Sequence, residues 1–252
     1  MANADSHLIT IVIPTVDRPA LLKRAIASAL VQQGVPFEVL VVDDGGGAGL
    51  DLARSYARAD VRGISSERKG QVPARRLGIQ AANGDRIAFL DDDDWWEASD
   101  HLARLVSVLP DEPALAYASG AVVVEDDALN AIESMPFRAH ADAETLARDN
   151  TLIVSALLFD KRLIDLHGEF DASFPYYWDW DWYLRLARAG VPLVASEGDA
   201  VRVSARFGSV SSEANIAARR ADLDRLSAKH GLGHIPLRNH ESIARDRQEG
   251  RG

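Results

Sequence analysis

The chain has 252 residues, of which 47% are hydrophobic and 26% charged, and its formal net charge is −10. Such a composition is typical of a folded protein with one large domain or two small ones. The negative charge argues against a nucleic-acid partner, because phosphate backbones bind lysine and arginine, and it gives no attraction to an anionic membrane surface. The absence of cysteine excludes disulfides and thiolate metal sites.

From the amino-terminal residues we do not expect a targeting signal. Residues 1–7 are polar, and the first apolar run, residues 8–13, is too short for a signal-peptide core or a membrane span. We therefore expect a cytoplasmic protein with no integral membrane segment. Peripheral docking on a membrane stays open, and the sequence does not indicate an oligomeric state.

The first half of the chain alternates apolar runs with helical patterns. The apolar runs predict buried, mostly parallel strands at residues 8–13, 37–42, 61–64 and 87–90. Helical periodicity predicts helices over about 20–33, 49–59 and 73–82. Asp17 is placed to cap the first helix, with Pro19 in its first turn. This order predicts an α/β fold with a central sheet flanked by helices.

The second half is less regular. Apolar runs predict short strands within residues 114–124, 152–159, 191–195 and 201–207. Helices are predicted from Ser99 or Asp100 to Leu109 and over 214–230, and residues 239–252 form a charged tail that we expect to be mobile. Residues 125–149 are acidic and only weakly periodic. The pattern predicts one domain in two parts, joined near residues 95–120.

Four consecutive aspartates, Asp91–Asp94, follow the apolar run at 87–90. Ligands of open α/β sheets bind beyond the carboxyl ends of strands. Adjacent carboxylates raise one another's pKa unless a cation lies among them, and their oxygens suit Mg²⁺ or Mn²⁺. The alternative is a solvated acidic turn, but Trp95 and Trp96 would then leave large apolar area in water. The stretch predicts a metal-associated site.

The stretch from Tyr176 to Tyr183 contains six aromatic residues and two carboxylates, Asp179 and Asp181. One interpretation is a helix start, with Asp179 as a cap or first-turn acid and the rings in the core. The other is a cleft whose aromatic rings pack on a sugar. By contrast, the glycines at 45–47 do not form the GxGxxG pattern, which argues against a dinucleotide site.

Four blocks of this sequence, in order and spacing, resemble the family 2 inverting glycosyltransferases of GT-A fold. The blocks are Ile11–Thr15, Val41–Gly45, Phe89–Asp94 and Asp179–Asp181, and the resemblance covers roughly residues 8–212. It implies a single GT-A-type domain over 1–213, with a Rossmann-like, mostly parallel sheet. The nucleotide-binding part would take about 8–96 and a smaller acceptor part about 97–213, followed by a carboxyl-terminal helix and charged tail at 214–252.

The same resemblance implies roles for individual residues. Asp93 and Asp91 would hold Mn²⁺ or Mg²⁺, and Asp179 would be the catalytic base. The residues that would contact the nucleotide sugar are Pro14, Thr15, Asp44, Arg75, Asp91 and Asp92. An alternative for Arg75 is a solvated or salt-bridged helix residue. Asp43 is expected to be a turn residue.

Three positions depart from the family pattern. Val16 stands where an aromatic residue is usual, so stacking on the nucleotide base is not expected from it. Trp178 stands where a glutamate is usual, and with Trp180 it could form a platform for a sugar or the acceptor. Arg206 lies near the place of a histidine in many relatives, where it could contact phosphate instead.

The resemblance implies a metal-dependent, inverting glycosyltransferase. The donor would be a nucleoside-diphosphate sugar, with a UDP-sugar as the first expectation. The acceptor would be a hydroxyl of a polysaccharide, a lipid-linked glycan or a small molecule. Two alternatives stay open: a nucleotidyltransferase that makes sugar nucleotides, although the loop at 15–18 lacks the glycines of a phosphate-binding loop, and a non-catalytic protein that binds nucleotide sugars or glycans.

Overall fold

The computed structural model describes residues 7–206 and 215–249. Its strands are β1 (Ile9–Thr15), β2 (Phe37–Asp43), β3 (Val61–Ser65), β4 (Arg86–Phe89), β5 (Trp95–Trp96), β6 (Leu115–Tyr117), β7 (Gly120–Glu125), β8 (Ala131–Phe137), β9 (Leu157–Asp160), β10 (Leu193–Ala195) and β11 (Val201–Ala205). Its helices are α1 (Pro19–Leu30), α2 (Ala48–Ser55), α3 (Gln71–Ala81), α4 (His101–Val108), α5 (Ala143–Leu146), α6 (Arg162–His167), α7 (Trp178–Arg188), α8 (Ile216–His230) and α9 (His240–Gln248).

The main sheet has seven strands in the order β10-β6-β9-β4-β1-β2-β3. The strands β3, β2, β1 and β4 are mutually parallel, and so are β6 and β10, whereas β9 runs antiparallel to both of its neighbours. The predicted α/β fold with a mostly parallel central sheet is therefore confirmed. Because β1, β2 and β4 point the same way, their carboxyl ends meet at one edge.

A second sheet has four strands in the order β5-β11-β7-β8. β5 begins directly after the four aspartates and pairs antiparallel with β11, placing Trp96 opposite Val201. The Trp96 indole donates a hydrogen bond to the Ser155 carbonyl (2.7 Å), and the Arg24 guanidinium lies 3.9 Å over the Trp95 ring. The aspartate run is therefore held against the protein rather than forming a freely solvated turn.

Alternation along the central strands explains why helices cover both faces. Ile11 and Ile13 of β1 pack toward α1, α4 and α9, while Val12 packs toward α3, α7 and α8. Strands that are buried on both faces need continuous apolar runs, which is the pattern of β1 and β2. None of the helices in the described residues is long and apolar enough to cross a membrane.

The start of α1 differs from the prediction. Pro19 is the first helical residue, so Arg18 holds the cap position and Asp17 lies one residue outside the helix. The Asp17 backbone has a φ of 50°, and its carboxylate accepts hydrogen bonds from Gly46 N (2.7 Å) and the Arg68 guanidinium (3.2 Å). Asp17 therefore joins the β1–α1 loop to neighbouring loops and does not cap the helix.

The predicted mobile tail is also wrong where it is described. Residues 240–248 form α9, which starts with a capping box: Asn239 Oδ1 accepts from Ser242 N (2.8 Å), and Asn239 N donates to Ser242 Oγ (2.9 Å). Ile243 and Ala244 are buried, and Arg245 pairs with Glu133 of β8. A helix with so few apolar residues gives little periodic signal, and its stability comes from these tertiary contacts.

Gly120 should not tolerate a side chain. It pairs with Val201 between β7 and β11, where an added Cβ would lie well inside contact distance of the Val201 carbonyl oxygen. We expect Gly120→Ala to lower the free energy of unfolding by about 1–3 kcal/mol, since a packed backbone must move. Urea denaturation measures this, with Ser134→Ala at an exposed position of β8 as the control. Equal midpoints for both variants would contradict the tight pairing.

Candidate active site

All ten residues predicted for the site line one cleft of about 590 Å³, at the edge where the parallel strands end. They are Pro14, Thr15, Asp44, Arg75, Asp91, Asp92, Asp93, Trp178, Asp179 and Trp180. The loop after β1, the loop after β4 and the start of α7 each contribute to the wall. Segments far apart in sequence thus converge as the carboxyl-end rule requires.

The aspartates of the run have different partners. Arg18 reaches two of them, donating to Asp92 Oδ2 (3.1 Å) and to Asp93 Oδ2 (2.9 Å), and Arg206 Nη2 lies 3.9 Å from the same Asp93 oxygen. Asp91 accepts a hydrogen bond from Arg75. Three arginines therefore lie beside three neighbouring carboxylates. A bound cation or anion can replace either partner of these ion pairs.

Asp92 and Asp94 line the cleft but are almost fully buried. Asp92 accepts a hydrogen bond from the Thr15 hydroxyl (2.6 Å). Asp94 accepts from the Ser155 hydroxyl (2.5 Å) and from Ser204 N (3.0 Å), so it ties the aspartate loop to β11. Burial raises the pKa of Asp92 to about 6, and burial together with the charges of Asp93 and Asp91 holds the pKa of Asp94 well above its usual range.

Asp44 lines the cleft but its oxygens are engaged. They accept hydrogen bonds from the Ser66 hydroxyl (2.6 Å), Lys69 N (2.8 Å) and Gly70 N (2.8 Å). Asp44 thus shapes the loop before α3, and a direct contact to a nucleotide stays a prediction. The neighbouring Asp43 accepts from Gly45 N and Gly49 N, which confirms the turn role expected for it.

Arg75 is buried between the two acidic parts of the cleft. It donates to Asp91 and to Gln71 Oε1 (3.1 Å), and its guanidinium lies 4.7 Å over the Trp178 ring. Its charge also opposes the rise in the pKa of Asp179 that burial causes. Of the alternative given for Arg75, the solvated form is wrong and the salt-bridged form is confirmed by the ion pair with Asp91. A contact of Arg75 with the nucleotide sugar stays a prediction.

Asp179 lies in the first turn of α7 and is only 6% exposed. One carboxylate oxygen accepts a hydrogen bond from Asn150 Nδ2 (2.8 Å). Burial raises the pKa of Asp179 to about 6, although Asn150, the Trp180 amide and Arg75 each oppose the rise. A carboxylate poised near neutral pH in a cleft is what a general base requires.

Asp181, the other acid of that stretch, has a structural environment. It is fully buried and accepts from Arg185 Nε (3.0 Å) and His230 Nε2 (2.8 Å), while Lys229 Nζ lies at 2.8 Å. These cations and hydrogen bonds outweigh burial, and the pKa of Asp181 is lowered. Asp181 therefore joins α7 to α8 and does not line the cleft.

Trp178 and Trp180 contact the cleft through small surfaces, because they are only 4% and 3% exposed. The Trp178 ring packs edge-on against Phe170, with centroids 4.6 Å apart, and Arg75 covers one face. Trp180 donates its indole hydrogen to the Leu146 carbonyl (2.7 Å). Both rings belong to the core in this structure, and a platform role for them stays a prediction.

The sequence did not identify several residues that complete the cleft. Arg18 binds two of the aspartates, and Asn150 binds Asp179, but no motif marks either residue. The segment before α9 and the start of that helix also contribute lining residues: Pro236, Arg238, Asn239, His240, Glu241 and Ile243. Arg18 could have been found from its place in the loop after β1, at the same sheet edge; Asn150 has no such signal.

A divalent cation could bind to the carboxylates of the cleft only if a bound diphosphate supplied further oxygen ligands. The described residues contain no group of three or more His, Cys, Asp or Glu side chains arranged around one point. Asp91 and Asp93 nevertheless offer partly exposed carboxylates on the cleft. Mg²⁺ is commonly bound by one or two carboxylates, with phosphate oxygens and water completing its shell. Two protein carboxylates and a diphosphate satisfy that requirement.

Asp179→Asn should stabilise the folded protein at neutral pH. Because the folded pKa of about 6 exceeds the ordinary 3.8, the folded state binds more protons between about pH 4 and 6, and the free energy of unfolding falls as pH rises through that window. The neutral variant should gain on the order of 2–3 kcal/mol at pH 7 and match wild type near pH 4. Urea denaturation at both pH values tests this, and a gain only at pH 4 would contradict it.

Comparison with known proteins addresses the family. The family model described as Glycosyl transferase family 2 matches residues 10–164, more than half of the chain. The uncharacterized glycosyltransferase YwdF of Bacillus subtilis (strain 168) is 31% identical over 236 residues, covering 92% of this chain and 87% of YwdF. The succinoglycan biosynthesis protein ExoO of Rhizobium meliloti (strain 1021) is 35% identical over 172 residues, covering 67% of this chain and 47% of ExoO.

Solved structures show the same architecture. TarS 1-349 of S. aureus, in complex with UDP-GlcNAc, superposes with a TM-score of 0.67 at 17% identity, over 93% of this chain and 69% of TarS 1-349. The mannosyltransferase PcManGT of Pyrobaculum calidifontis, in complex with GDP-Man and Mn²⁺, gives 0.63 at 18% identity, over 96% of this chain and 68% of PcManGT. The fold is of the GT-A type, and the chain belongs to glycosyl transferase family 2.

Proposed function

We propose that this protein transfers a sugar from a nucleoside-diphosphate sugar to an acceptor hydroxyl, with inversion at the anomeric carbon and with the help of a divalent cation. One observation carries the proposal: the aspartate run with Arg18 and Arg75 and the carboxylate of Asp179, whose pKa is about 6, line the same cleft. Such a transfer needs charge neutralisation at the leaving diphosphate and a base at the acceptor.

The nucleotide part of the donor would occupy the side of the cleft formed by Pro14, Thr15 and Asp44. Asp44 orients the amides of Lys69 and Gly70. The loop after β1 contributes Arg18, whose side chain is 40% exposed and can exchange an aspartate for a phosphate. The relatives TarS and PcManGT bind UDP-GlcNAc and GDP-Man, so UDP is the first nucleotide to test and GDP the second.

Asp91 and Asp93 would hold the cation. The cation, when bound, would act as a Lewis acid on the diphosphate. For this, Asp93 Oδ2 has to exchange its hydrogen bond with Arg18, which then becomes available to an anionic ligand. Arg206, near the same carboxylate, is a second phosphate contact in this proposal. The presence of Mn²⁺ in the PcManGT complex supports the use of a divalent ion.

Asp179 would take the proton from the acceptor hydroxyl. A direct displacement inverts the anomeric carbon, because the acceptor attacks on the face opposite the leaving diphosphate, so one base suffices. Hydrogen bonds from Asn150 and the Trp180 amide orient the carboxylate. Trp178 and Trp180 would contribute to the sugar or acceptor side through their small exposed surfaces.

The acceptor in this proposal is a carbohydrate-type molecule. The acceptor side of the cleft is polar and includes Asn150, Arg238, Asn239 and Glu241, which can donate to and accept from hydroxyl groups. The likeness to ExoO, a protein named for succinoglycan biosynthesis, supports a glycan acceptor.

Thermal stabilisation by nucleotides tests the donor class. UDP, GDP, dTDP and CDP are each added with Mn²⁺, with Mg²⁺ or with EDTA. A ligand at 100 times its Kd should add about 2.7 kcal/mol. We expect one diphosphate to raise the melting midpoint only when a metal is present. A complete lack of stabilisation under every condition would contradict the proposal.

A further inference from the structure

Asn150 is the side chain that touches Asp179 directly. Its amide nitrogen donates to Asp179 Oδ2 (2.8 Å), and its own Oδ1 is buried with no hydrogen-bond partner among residues 7–206 and 215–249. A buried amide oxygen without a partner is costly. The Asn150 amide is therefore oriented by its hydrogen bond to the Asp179 carboxylate on α7, although this leaves the amide oxygen unpaired among the described residues.

The backbone around Asn150 is fixed from two directions. The Thr151 hydroxyl donates to the His140 carbonyl, while the Leu152 carbonyl accepts from His240 Nε2 (3.0 Å). Thr151 and Leu152 are both buried. One residue before Asn150, Asp149 pairs with Arg238 (3.3 Å). Two of these three contacts therefore come from residues 238–240, far along the chain.

His240 is suited to a fixed donor role. It is the first residue of α9, and its ring packs edge-on against Phe137 of β8, with centroids 4.8 Å apart. Burial lowers the pKa of His240 to about 4, so the ring is neutral at physiological pH. A neutral imidazole has one N–H, and the carbonyl at Leu152 requires that hydrogen on Nε2.

We propose that His240 and Asn150 are positioning residues for Asp179, so that α9, outside the matched region 10–164, is a working part of the active site. His240 holds the backbone at Leu152, this backbone holds Asn150, and Asn150 holds the Asp179 carboxylate. The inference rests on the proposed function only for the role of Asp179 as the base; the chain of contacts is independent of it.

The contacts have a consequence for the titration of Asp179. Besides Asn150, the charged and titratable groups that face it are Arg75 on α3, and Tyr177 and Tyr183 at the start of and within α7. Arg75 and Asn150 both favour the carboxylate over the acid. Removing the Asn150 amide while Arg75 stays should therefore raise the pKa of Asp179 further.

The test is a carboxyl ¹³C NMR titration of the full chain, with the Asp179 signal assigned by its absence in Asp179→Asn. Asn150→Ala should raise the pKa of Asp179 by about 1. His240→Phe keeps the ring against Phe137 but removes the N–H, and should raise the same pKa by a smaller amount. His240→Gln can still donate and should stay closer to wild type than His240→Phe.

The control is Asn130→Ala. Asn130 Nδ2 also donates to an aspartate, Asp126 (3.0 Å), but in an exposed turn, so the pKa of Asp179 should not change. In parallel, release of UDP from UDP-GlcNAc and of GDP from GDP-Man is followed with Mn²⁺. For the donor that wild type hydrolyses, Asn150→Ala should lower kcat about tenfold or more with little change in KM.

The possible outcomes distinguish a failure of the positioning inference from a failure of the proposed function. A wild-type pKa of Asp179 in a folded Asn150→Ala or His240→Phe protein overturns the positioning inference. A raised pKa in both variants supports it, whether or not the wild-type protein turns over a donor. If the pKa rises as expected but wild type releases no nucleoside diphosphate from any sugar nucleotide, the contacts stand and the proposed function fails.

Discussion

Asp179→Asn should abolish sugar transfer while it leaves binding of the nucleotide sugar unchanged. Asparagine keeps the size of the side chain, and its amide oxygen can still accept the hydrogen bond from Asn150. It cannot accept a proton from an acceptor hydroxyl. General-base catalysis contributes about 10²–10⁴-fold to a rate. The rate of transfer or donor hydrolysis should therefore fall by about 100-fold or more. Release of the nucleoside diphosphate measures the rate, and titration calorimetry measures donor affinity.

Asp181→Asn is the matched comparison two residues away. Asp181 pairs with Arg185, Lys229 and His230, so its replacement should lower stability by weakening the ion pairs and hydrogen bonds that join α7 to α8, rather than remove the base. The folded Asp181→Asn protein should still turn over the donor. If Asp179→Asn turned over the donor at the wild-type rate, or if only Asp181→Asn lost turnover, the assignment of Asp179 as the base would be contradicted.

Asp93→Ala should remove metal-dependent nucleotide binding. Asp93 pairs with Arg18 and lies 3.9 Å from Arg206, and without it the proposed cation would have only Asp91 left on the protein. We expect the affinity for the nucleoside diphosphate with Mn²⁺ to fall at least about tenfold, equal to about 1.4 kcal/mol. With EDTA the affinity should not weaken, because Arg18 loses a partner and is freer to bind phosphate.

Asp127→Ala, at an exposed position in the β7–β8 turn, is the control for a lost negative charge. It should keep the wild-type response to metal. Titration calorimetry with the diphosphate, in Mn²⁺ and in EDTA, compares the three proteins. Equal Mn²⁺ dependence in wild type and Asp93→Ala would show that the aspartate run does not hold the metal.

The part of the fold that the sequence predicted is the set of central strands that are buried on both faces of the main sheet. β1, β2 and β4 each contain an apolar run that predicts a buried strand, and their carboxyl ends locate Thr15, Asp44 and Asp91. That rule is geometric, so it needs no knowledge of side-chain contacts. The position of the candidate cleft follows from this rule alone.

Contacts between distant segments could not be predicted in this way. Arg18 with Asp92, and Asn150 with Asp179, join residues 74 and 29 positions apart, and neither pair has a periodic pattern. α9 was missed because its sequence is mostly polar and buries only Ile243 and Ala244. The capping error at Asp17 has a local cause: Pro19 begins the helix and leaves Asp17 one position too early.

Donor turnover tests the central claim most directly. Wild type and Asp179→Asn are incubated with UDP-, GDP- and dTDP-sugars in Mn²⁺ or EDTA, and released nucleoside diphosphate is quantified. We predict that wild type with Mn²⁺ releases the diphosphate of one nucleotide class, even with water as a slow acceptor, and that neither EDTA-treated wild type nor Asp179→Asn does. Equal release by both proteins, or pyrophosphate formation from a nucleoside triphosphate and a sugar phosphate instead, would contradict the account.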